Sequence, residues 1–573
     1  MICKTVADEM AAMLVAAGVQ RAYCRGGADL SRMHEVLRHV KGMRCIGMQH
    51  GESAAFAALG EAMLTGLPAV CCGSCGGGNM QMLNALYEAG QSSVPLLALA
   101  PQLPVSAMGS GGARSCHPEY ALRDAAAYCE TIYSPQQAPR VLGEAMRRAR
   151  AVPAAAAVVL PADVAAMPAE YDRRAGTAPT GATPAVAEPA QVDVARLAEL
   201  INRSDKVVFL CGRGCAGARD LLVELARRIG APIAYTLRGK EFMERDNPCA
   251  VGMIGLLGWG DAPAAVQVAD LLVMWGTDFP YDCFLPQHGR VVQVDSSAAA
   301  LGRRVALIHA VHGDVARTAA LLLPLVKSGR GDEFLTRSLM RHGRAVSAME
   351  GVLRTVDERA PIRPEYLTRL LSSYAEPDAV FAVDVGLPII WVARYLQAFG
   401  QRRIVGALNY GTTGCALPIA IGAKAAAPSR QVIALCQGSS PGCGAAELLT
   451  LQKERLSVKV LVYNRAATAA AQSIQGGGEL PPPAIDFIAC AAALGLQVQR
   501  LTQVADAPAA VRRWLSARGP AVLDVALDAY ARPEPPQSDL QRALEHTGNP
   551  MSEQLRRELA LIRCMLYGGS YPG

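Results

Sequence analysis

The chain has 573 residues, 51% of them hydrophobic and 18% charged, with a net charge of +6. That length exceeds what one core supports and points to three or four domains, and the small charge, with no Lys/Arg block, gives no footprint for nucleic acid. No apolar run approaches the ~18–20 residues that span a bilayer, and the opening MICKTVADEMAAML carries acids and no cleavable apolar core, so a first helix, a cytoplasmic location and no membrane contact are expected.

Along the chain, apolar strands alternate with helical stretches: PAVCCGS, PLLALAP, AAVVLPA, KVVFLCG, DLLVMWG, RVVQVDS, AVFAVDV, QVIALCQ, VKVLVYN and PAVLDVAL. Strands with no polar face, spaced by helices, indicate parallel sheets covered on both sides, so the fold class is α/β of doubly wound type. Two seams divide it. Residues 174–192 are rich in Ala, Pro, Thr and Gly and read as a linker, and residues 327–360 are charged and helical. The expected domains are 1–175, 190–328 and 360–530, with a tail over 531–573 whose amphipathic stretch MSEQLRRELALIRCML reads as a docking helix rather than a membrane one. The 17 cysteines are scattered through apolar segments and read as reduced buried thiols. Cys71, Cys72 and Cys75 lack a second CxxC or HxxxH partner, which argues against a metal there.

Two stretches carry chemistry. In CGRGCAGAR, the residues Gly212, Gly214, Cys215 and Gly217 follow an apolar strand and open a helix, where glycines let the backbone approach a diphosphate. Alone this is a weak signal, because many strand–helix turns are glycine-rich for packing. Residues 431–465, QVIALCQGSSPGCGAAELLTLQKERLSVKVLVYNR, lay out a buried strand, a glycine turn, a helix, a second strand and then Asn464.

That cassette does not stand by itself. The first domain adds QHGESAAFAALGEAMLTGLPAVCCGSCGGGN, SVPLLALAPQLP and MGSGGARSCHPEYALRDAAAYCETIYSPQQAPRVL. The second adds APIAYTLRGK, NPCAVGMIGLLG, GTDFPY and VDSSAAALGRR, and the third FAVDVGLPIIWVARYL and NYGTTGCALPIAIGA. Together they resemble the thiamine diphosphate (ThDP)-dependent pyruvate oxidase and acetolactate synthase superfamily over residues 1 to about 535, most of all its FAD-containing pyruvate oxidases and quinone-dependent pyruvate dehydrogenases.

The resemblance implies a three-domain chain assembled as a homodimer or homotetramer, with the ThDP cleft between two subunits. It implies FAD in the middle domain, held by Gly212, Gly214, Cys215, Gly217, Arg238, Gly252, Met253, Ile254, Gly255, Thr277, Asp278, Phe279, Pro280, Tyr281 and Asp295. At the thiamine end the chain departs from the family. The carboxylate that activates the cofactor falls at Gly51 in His50-Gly51-Glu52, and Glu52 is one residue late, a rotation of ~100° at the start of a helix. The metal-binding aspartate falls at Gln437 and the asparagine at Arg465, whose guanidinium has no lone pair for Mg²⁺. Ala113 and Arg114, Thr413, Ala470 and Gly77 also replace family residues around this cleft.

The kept middle-domain stretches argue for FAD, and the departures at the thiamine end argue against ThDP and Mg²⁺ as cofactors. The reading that follows is a flavin-linked oxidoreductase that has lost thiamine chemistry. Its substrate would be a small anionic molecule, with Glu52, Arg114, His117 and Arg465 as the polar groups of its cleft, and no metal. Two alternatives stand beside it: a non-catalytic scaffold or regulatory homologue, and a ThDP-dependent 2-oxo acid decarboxylase or carboligase in which Arg465 stands in for the metal.

Overall fold

The computed structural model describes residues 4–25, 31–151, 154–170, 186–286, 289–329, 331–354, 361–438, 444–465, 486–528 and 531. Most of the 174–192 linker, Ala470 and the MSEQLRRELALIRCML stretch lie outside the described residues. The chain forms two compact units. The first draws on the N-terminal residues up to Pro184, on Tyr374–Ile389 and on Arg403–Ala529; the second draws on Ala185–Ser373 and Ile390–Arg402.

The first unit holds two six-stranded sheets. The N-terminal sheet is built from β1 (Arg21–Arg25), β2 (Arg44–Met48), β3 (Ala69–Cys72), β4 (Leu96–Gln102), β5 (Tyr128–Thr131) and β6 (Ala155–Pro161), in the order β2-β1-β3-β4-β6-β5. Every residue of β3, β4 and β6 is buried, as their unbroken apolar sequences require of central parallel strands. The last six strands of the chain repeat this order. After the seven strands of the second unit come β14 (Val380–Val383), β15 (Arg403–Val405), β16 (Val432–Gln437), β17 (Val458–Asn464), β18 (Gln497–Leu501) and β19 (Ala521–Ala526), arranged β15-β14-β16-β17-β19-β18. All pairings in both sheets are parallel.

The two halves of this unit share one core, to which Phe56, Leu59, Ile419 and Ile421 all belong. The joint is a pair of close-packed helices, Gly51–Thr65 and Ala416–Ala426. A Cβ on Gly60 would lie 2.2 Å from the Ile419 carbonyl oxygen, and one on Gly422 only 1.7 Å from the Ala57 carbonyl oxygen. Each glycine therefore sits over the carbonyl of the residue three places before the other.

The second unit has a seven-stranded sheet of β7 (Val207–Cys211), β8 (Ile233–Tyr235), β9 (Ala250–Met253), β10 (Trp259–Gly260), β11 (Leu271–Trp275), β12 (Arg290–Asp295) and β13 (His309–His312). Its order is β10-β9-β8-β7-β11-β12-β13. All neighbours are parallel except β10, a two-residue antiparallel strand at one edge. The charged segment of the second seam is the helix Asp332–Arg354, which packs on β9 and β10 and places Arg341 against the buried Asp261 carboxylate at 2.5 Å.

Candidate functional site

In the N-terminal sheet, β2 ends just before the helix Gly51–Thr65. His50 caps that helix, its Nδ1 accepting from the Glu52 backbone N–H at 3.3 Å. The turn is held from the C-terminal half of the unit. The buried Glu447 carboxylate accepts from the backbone N–H groups of Gln49 (3.0 Å) and His50 (3.3 Å) and from the Thr450 hydroxyl (2.6 Å). Burial raises the Glu447 pKa above its ordinary value.

Position 51 has no space for a side chain as the turn stands. A Cβ there would lie 2.7 Å from Gln81 Oε1 and 3.1 Å from the Gly78 carbonyl, and Gln81 Oε1 accepts the Gly51 N–H at 3.2 Å. The Gln81 amide oxygen thus lies against position 51. Glu52 points elsewhere, its Oε1 accepting from Asn84 Nδ2 at 2.5 Å. The glycine loop that carries Gly78 also meets Arg114. A Cβ on Gly76 (φ +83°) would come within 3.2 Å of Arg114 Cβ, and Arg114 itself is exposed, with a left-handed φ of +63°. His117 is exposed, with Nδ1 3.0 Å from Glu119 Oε1.

The described cysteines are reduced, none in a disulfide. Cys71 Sγ lies 3.7 Å from the Met82 sulfur, Cys72 Sγ 3.9 Å from His34 Nδ1, and Cys75 Sγ 3.8 Å from Gln102 Oε1, so the three thiols take three different partners. Among the described residues, no group of three or more His, Cys, Asp or Glu side chains is placed to hold a metal ion.

The other half of the site lies at the carboxyl edge of the C-terminal sheet. Asp384, just past β14, is buried and accepts from the backbone N–H groups of Ala416 (2.7 Å) and Gln437 (3.1 Å). Burial pushes its carboxyl up to about 6 from an ordinary 3.8. Gln437 turns inward: its Oε1 accepts the Leu387 N–H at 3.2 Å and occupies the space where a Cβ on Gly386 (φ +120°) would fall, 1.8 Å away. Gly438 donates to the Tyr463 carbonyl at 3.1 Å, and a Cβ there would lie 3.0 Å from Asn464 Cα. Asn464 Nδ2 donates to Asp524 Oδ1 at 3.0 Å, and Arg500 Nε donates to the other oxygen of Asp524 at 3.1 Å. Arg465, half-buried, follows directly. The loop leading to Thr413 is tied down by the buried Glu88, which accepts from the N–H groups of Asn409 (3.1 Å) and Tyr410 (2.7 Å). The four candidates therefore divide: Glu52, Arg114 and His117 on the N-terminal half, Arg465 on the C-terminal sheet.

Gln81, Asn84, Glu88, Asp384 and Glu447 escaped the sequence reading. A lone acid inside an apolar stretch was the available signal for Asp384, in FAVDV, and for Glu447, in GAAELL. Asp384 also gives a pH prediction. Its folded pKa lies above its unfolded value, so the folded state holds the proton more tightly between about pH 4 and about pH 6. Its contribution to stability is greatest at the acid end of that window and declines as the pH rises through it. Asp384→Asn should show a smaller change in urea midpoint across that window than the wild type. An unchanged difference would exclude Asp384 as its source.

In the second unit the flavin candidates gather at the carboxyl edge, where the sheet order reverses between β7 and β11. Gly212 and Gly214 are consumed by packing: a Cβ at 212 would lie 2.5 Å from Thr277 Cβ, and one at 214 would lie 2.6 Å from Gly276 Cα. Cys215 Sγ donates to the Trp275 carbonyl at 3.2 Å. Gly217 (φ +80°) faces open space. Arg238 follows β8. Gly252 pairs with β10, Met253 ends β9, Ile254 N–H donates to the Tyr235 carbonyl at 3.0 Å, and a Cβ on Gly255 would lie 3.4 Å from the Phe279 ring. Thr277 Oγ1 accepts the Phe279 N–H at 3.2 Å, Asp278 is ion-paired with Arg303, Pro280 is exposed, and Tyr281 meets Phe279 edge-on at 5.6 Å. Asp295 ends β12, accepts the Ser297 N–H at 2.8 Å and has its pKa raised by burial.

Comparison with known proteins follows the same three parts. The N-terminal TPP binding domain of thiamine pyrophosphate enzymes matches residues 4–122, their central domain matches 194–322, and their C-terminal TPP binding domain matches 384–525. The chain is 42% identical over 345 residues to an uncharacterized 42.6 kDa protein in the isoamylase 3' region of Pseudomonas amyloderamosa, covering 60% of this chain and 87% of that protein. It is 28% identical over 535 residues to the putative thiamine pyrophosphate-containing protein YdaP of Bacillus subtilis, covering 91% of each. With acetolactate synthase isozyme 1 large subunit of Escherichia coli it shares 26% over 525 residues, 89% of this chain and 91% of the relative.

These matches correct the expectation that weighed against ThDP as a cofactor. Both halves of the first unit match thiamine pyrophosphate-binding domains, and the relatives point to ThDP as the cofactor. Side-chain ligands are only part of what holds a diphosphate: backbone N–H groups at close turns also hold it, and these do not depend on side-chain identity. At the carboxyl edge of the C-terminal sheet the space beside Gly386 is taken by the Gln437 side chain and Gly438 packs against Asn464, so both glycines serve packing, and it is the two matched domains that speak for ThDP. A divalent ion fits poorly: Gln437 Oε1 is turned onto the Leu387 N–H, and position 465 supplies a cation. The chain belongs to the thiamine diphosphate-dependent superfamily of acetolactate synthases and pyruvate oxidases.

Proposed function

We propose that this protein is a ThDP-dependent decarboxylase or carboligase of 2-oxo acids. The observation that carries the reading is the joining, in one unit, of two thiamine pyrophosphate-binding domains of the same strand order. When bound, ThDP supplies the nucleophilic carbon and the electron sink for breaking or making the bond beside a ketone. The chain's own residues do the rest. The Gln81 amide presents a neutral hydrogen-bonding group where relatives place a carboxylate. Glu447 and the His50 cap hold the turn that carries it, and Glu88 holds the loop of Thr413. Arg114, exposed beside the glycine loop, is suited to pair with the carboxylate of a 2-oxo acid. A homodimer or homotetramer is part of this reading by resemblance to the family.

The test is calorimetric titration with ThDP, followed by measurement of CO₂ release from pyruvate and glyoxylate. Saturable ThDP binding with turnover is expected, and Arg114→Ala should raise KM about tenfold or more while changing kcat less. Absence of ThDP binding would sink the proposal. Binding without turnover on any 2-oxo acid would leave a non-catalytic homologue. The carboxyl-edge crevice of the second unit, with Gly217 open and Asp295 at the end of β12, supports FAD as a second bound group. A visible flavin band in the purified protein checks it.

A further inference from the structure

At the diphosphate end of the C-terminal sheet, the side chains of Gln437, Asp384 and Asn464 are engaged with other groups of the protein. Gln437 stands at the aspartate position with its amide oxygen on the Leu387 N–H at 3.2 Å, packed against Gly386. The nearby carboxylate, Asp384, is buried and spends its two oxygens on the backbone N–H groups of Ala416 and Gln437. Asn464 is buried, with its amide N–H on Asp524, and Asp524 is in turn paired with Arg500. Among the described residues no cluster of three acidic, His or Cys side chains is placed for a metal. The residue that follows Asn464, directly past the end of β17, is Arg465.

Mg²⁺ needs hard oxygen ligands, and a guanidinium both lacks lone pairs and repels the ion. The same guanidinium is well suited to a diphosphate, which it pairs through two parallel N–H···O bonds. We propose that the diphosphate end of this site binds its anion without a divalent metal, with Arg465 as the fixed cation. The inference deepens the ThDP reading and rests on it for the identity of the ligand, but its chemistry, binding of a diphosphate group, is tested separately.

The experiment titrates the full-length protein with inorganic diphosphate and with ThDP, each in EDTA and in excess Mg²⁺. Diphosphate is expected to bind in EDTA with an affinity within about threefold of that in Mg²⁺. Arg465→Asn should weaken it at least tenfold, with no recovery on adding Mg²⁺. Arg465→Lys should fall between, because an ammonium keeps the charge and loses the bidentate geometry. The double variant Q437D/R465N should bind diphosphate only with Mg²⁺. Circular dichroism of each variant separates loss of the site from loss of the fold, and the lysine variant carries the test if the asparagine one does not fold. Diphosphate binding that requires Mg²⁺ in the wild type, or no diphosphate binding at all, would overturn the inference. If diphosphate binds in EDTA through Arg465 while ThDP does not bind, the metal-free site stands and the ThDP function falls.

Discussion

Gly422→Ala should be among the most damaging single substitutions in this protein, lowering stability by about 3 kcal/mol or more. A methyl at that position would lie 1.7 Å from the Ala57 carbonyl oxygen, and its reciprocal at Gly60 would lie 2.2 Å from the Ile419 carbonyl. Both obstacles are backbone of a facing helix, so no rotamer change relieves them; the helices must separate, and the core shared by the two halves must open with them. Gly60→Ala should behave alike. Gly90, in the helix Leu83–Gln91, is the control, because nothing lies within 4 Å of a Cβ there. Gly90→Ala should be neutral or stabilise by ~0.5–1 kcal/mol, as expected for removing glycine from a helix interior. Urea unfolding followed by far-ultraviolet circular dichroism reads all three. Equal midpoints for the Gly422 and Gly90 variants would show that the helices do not pack this closely.

The second large effect is expected at Glu447. Replacing it with leucine removes the acceptor of two backbone N–H groups, at Gln49 and His50, and of the Thr450 hydroxyl. Donors buried without a partner cost about 1–3 kcal/mol each, so a loss of roughly 3 kcal/mol is expected. The effect reaches the site, because the released turn carries Gly51 and Glu52 and fixes Gly51 against Gln81. Affinity for ThDP should fall about tenfold or more in Glu447→Leu. Glu447→Gln keeps an acceptor oxygen and should lose far less of both. If the leucine variant unfolds at the wild-type midpoint, the carboxylate does not hold the turn.

Much of the fold was legible because parallel strands buried on both faces announce themselves as unbroken apolar runs. The charged seam was equally plain and is the helix Asp332–Arg354. The antiparallel edge strand β10 left no pattern, being two residues long. At the site, the positions of Gly51, Gln437 and Arg465 could be read by their order along the chain. Their partners could not. Gln81 lies 30 residues from Gly51, and Glu447 lies 398 residues from Gln49. The glycines of CGRGCAG show the same limit. Their spacing suggested a diphosphate loop, but Gly212 and Gly214 are needed where β7 and β11 send their loops past each other, and Gly217 alone faces open space.

By itself, then, the sequence determined the α/β class and the three parts, because strand burial and motif order are local properties of the chain. The tertiary structure decided the contacts of the site residues. It set the Gln81 amide against Gly51, turned Gln437 onto the Leu387 N–H and tied the turn at Gln49 and His50 to Glu447. Each of these depends on contacts between distant segments, and such contacts exist only once the helices Gly51–Thr65 and Ala416–Ala426 have packed and the shared core has closed.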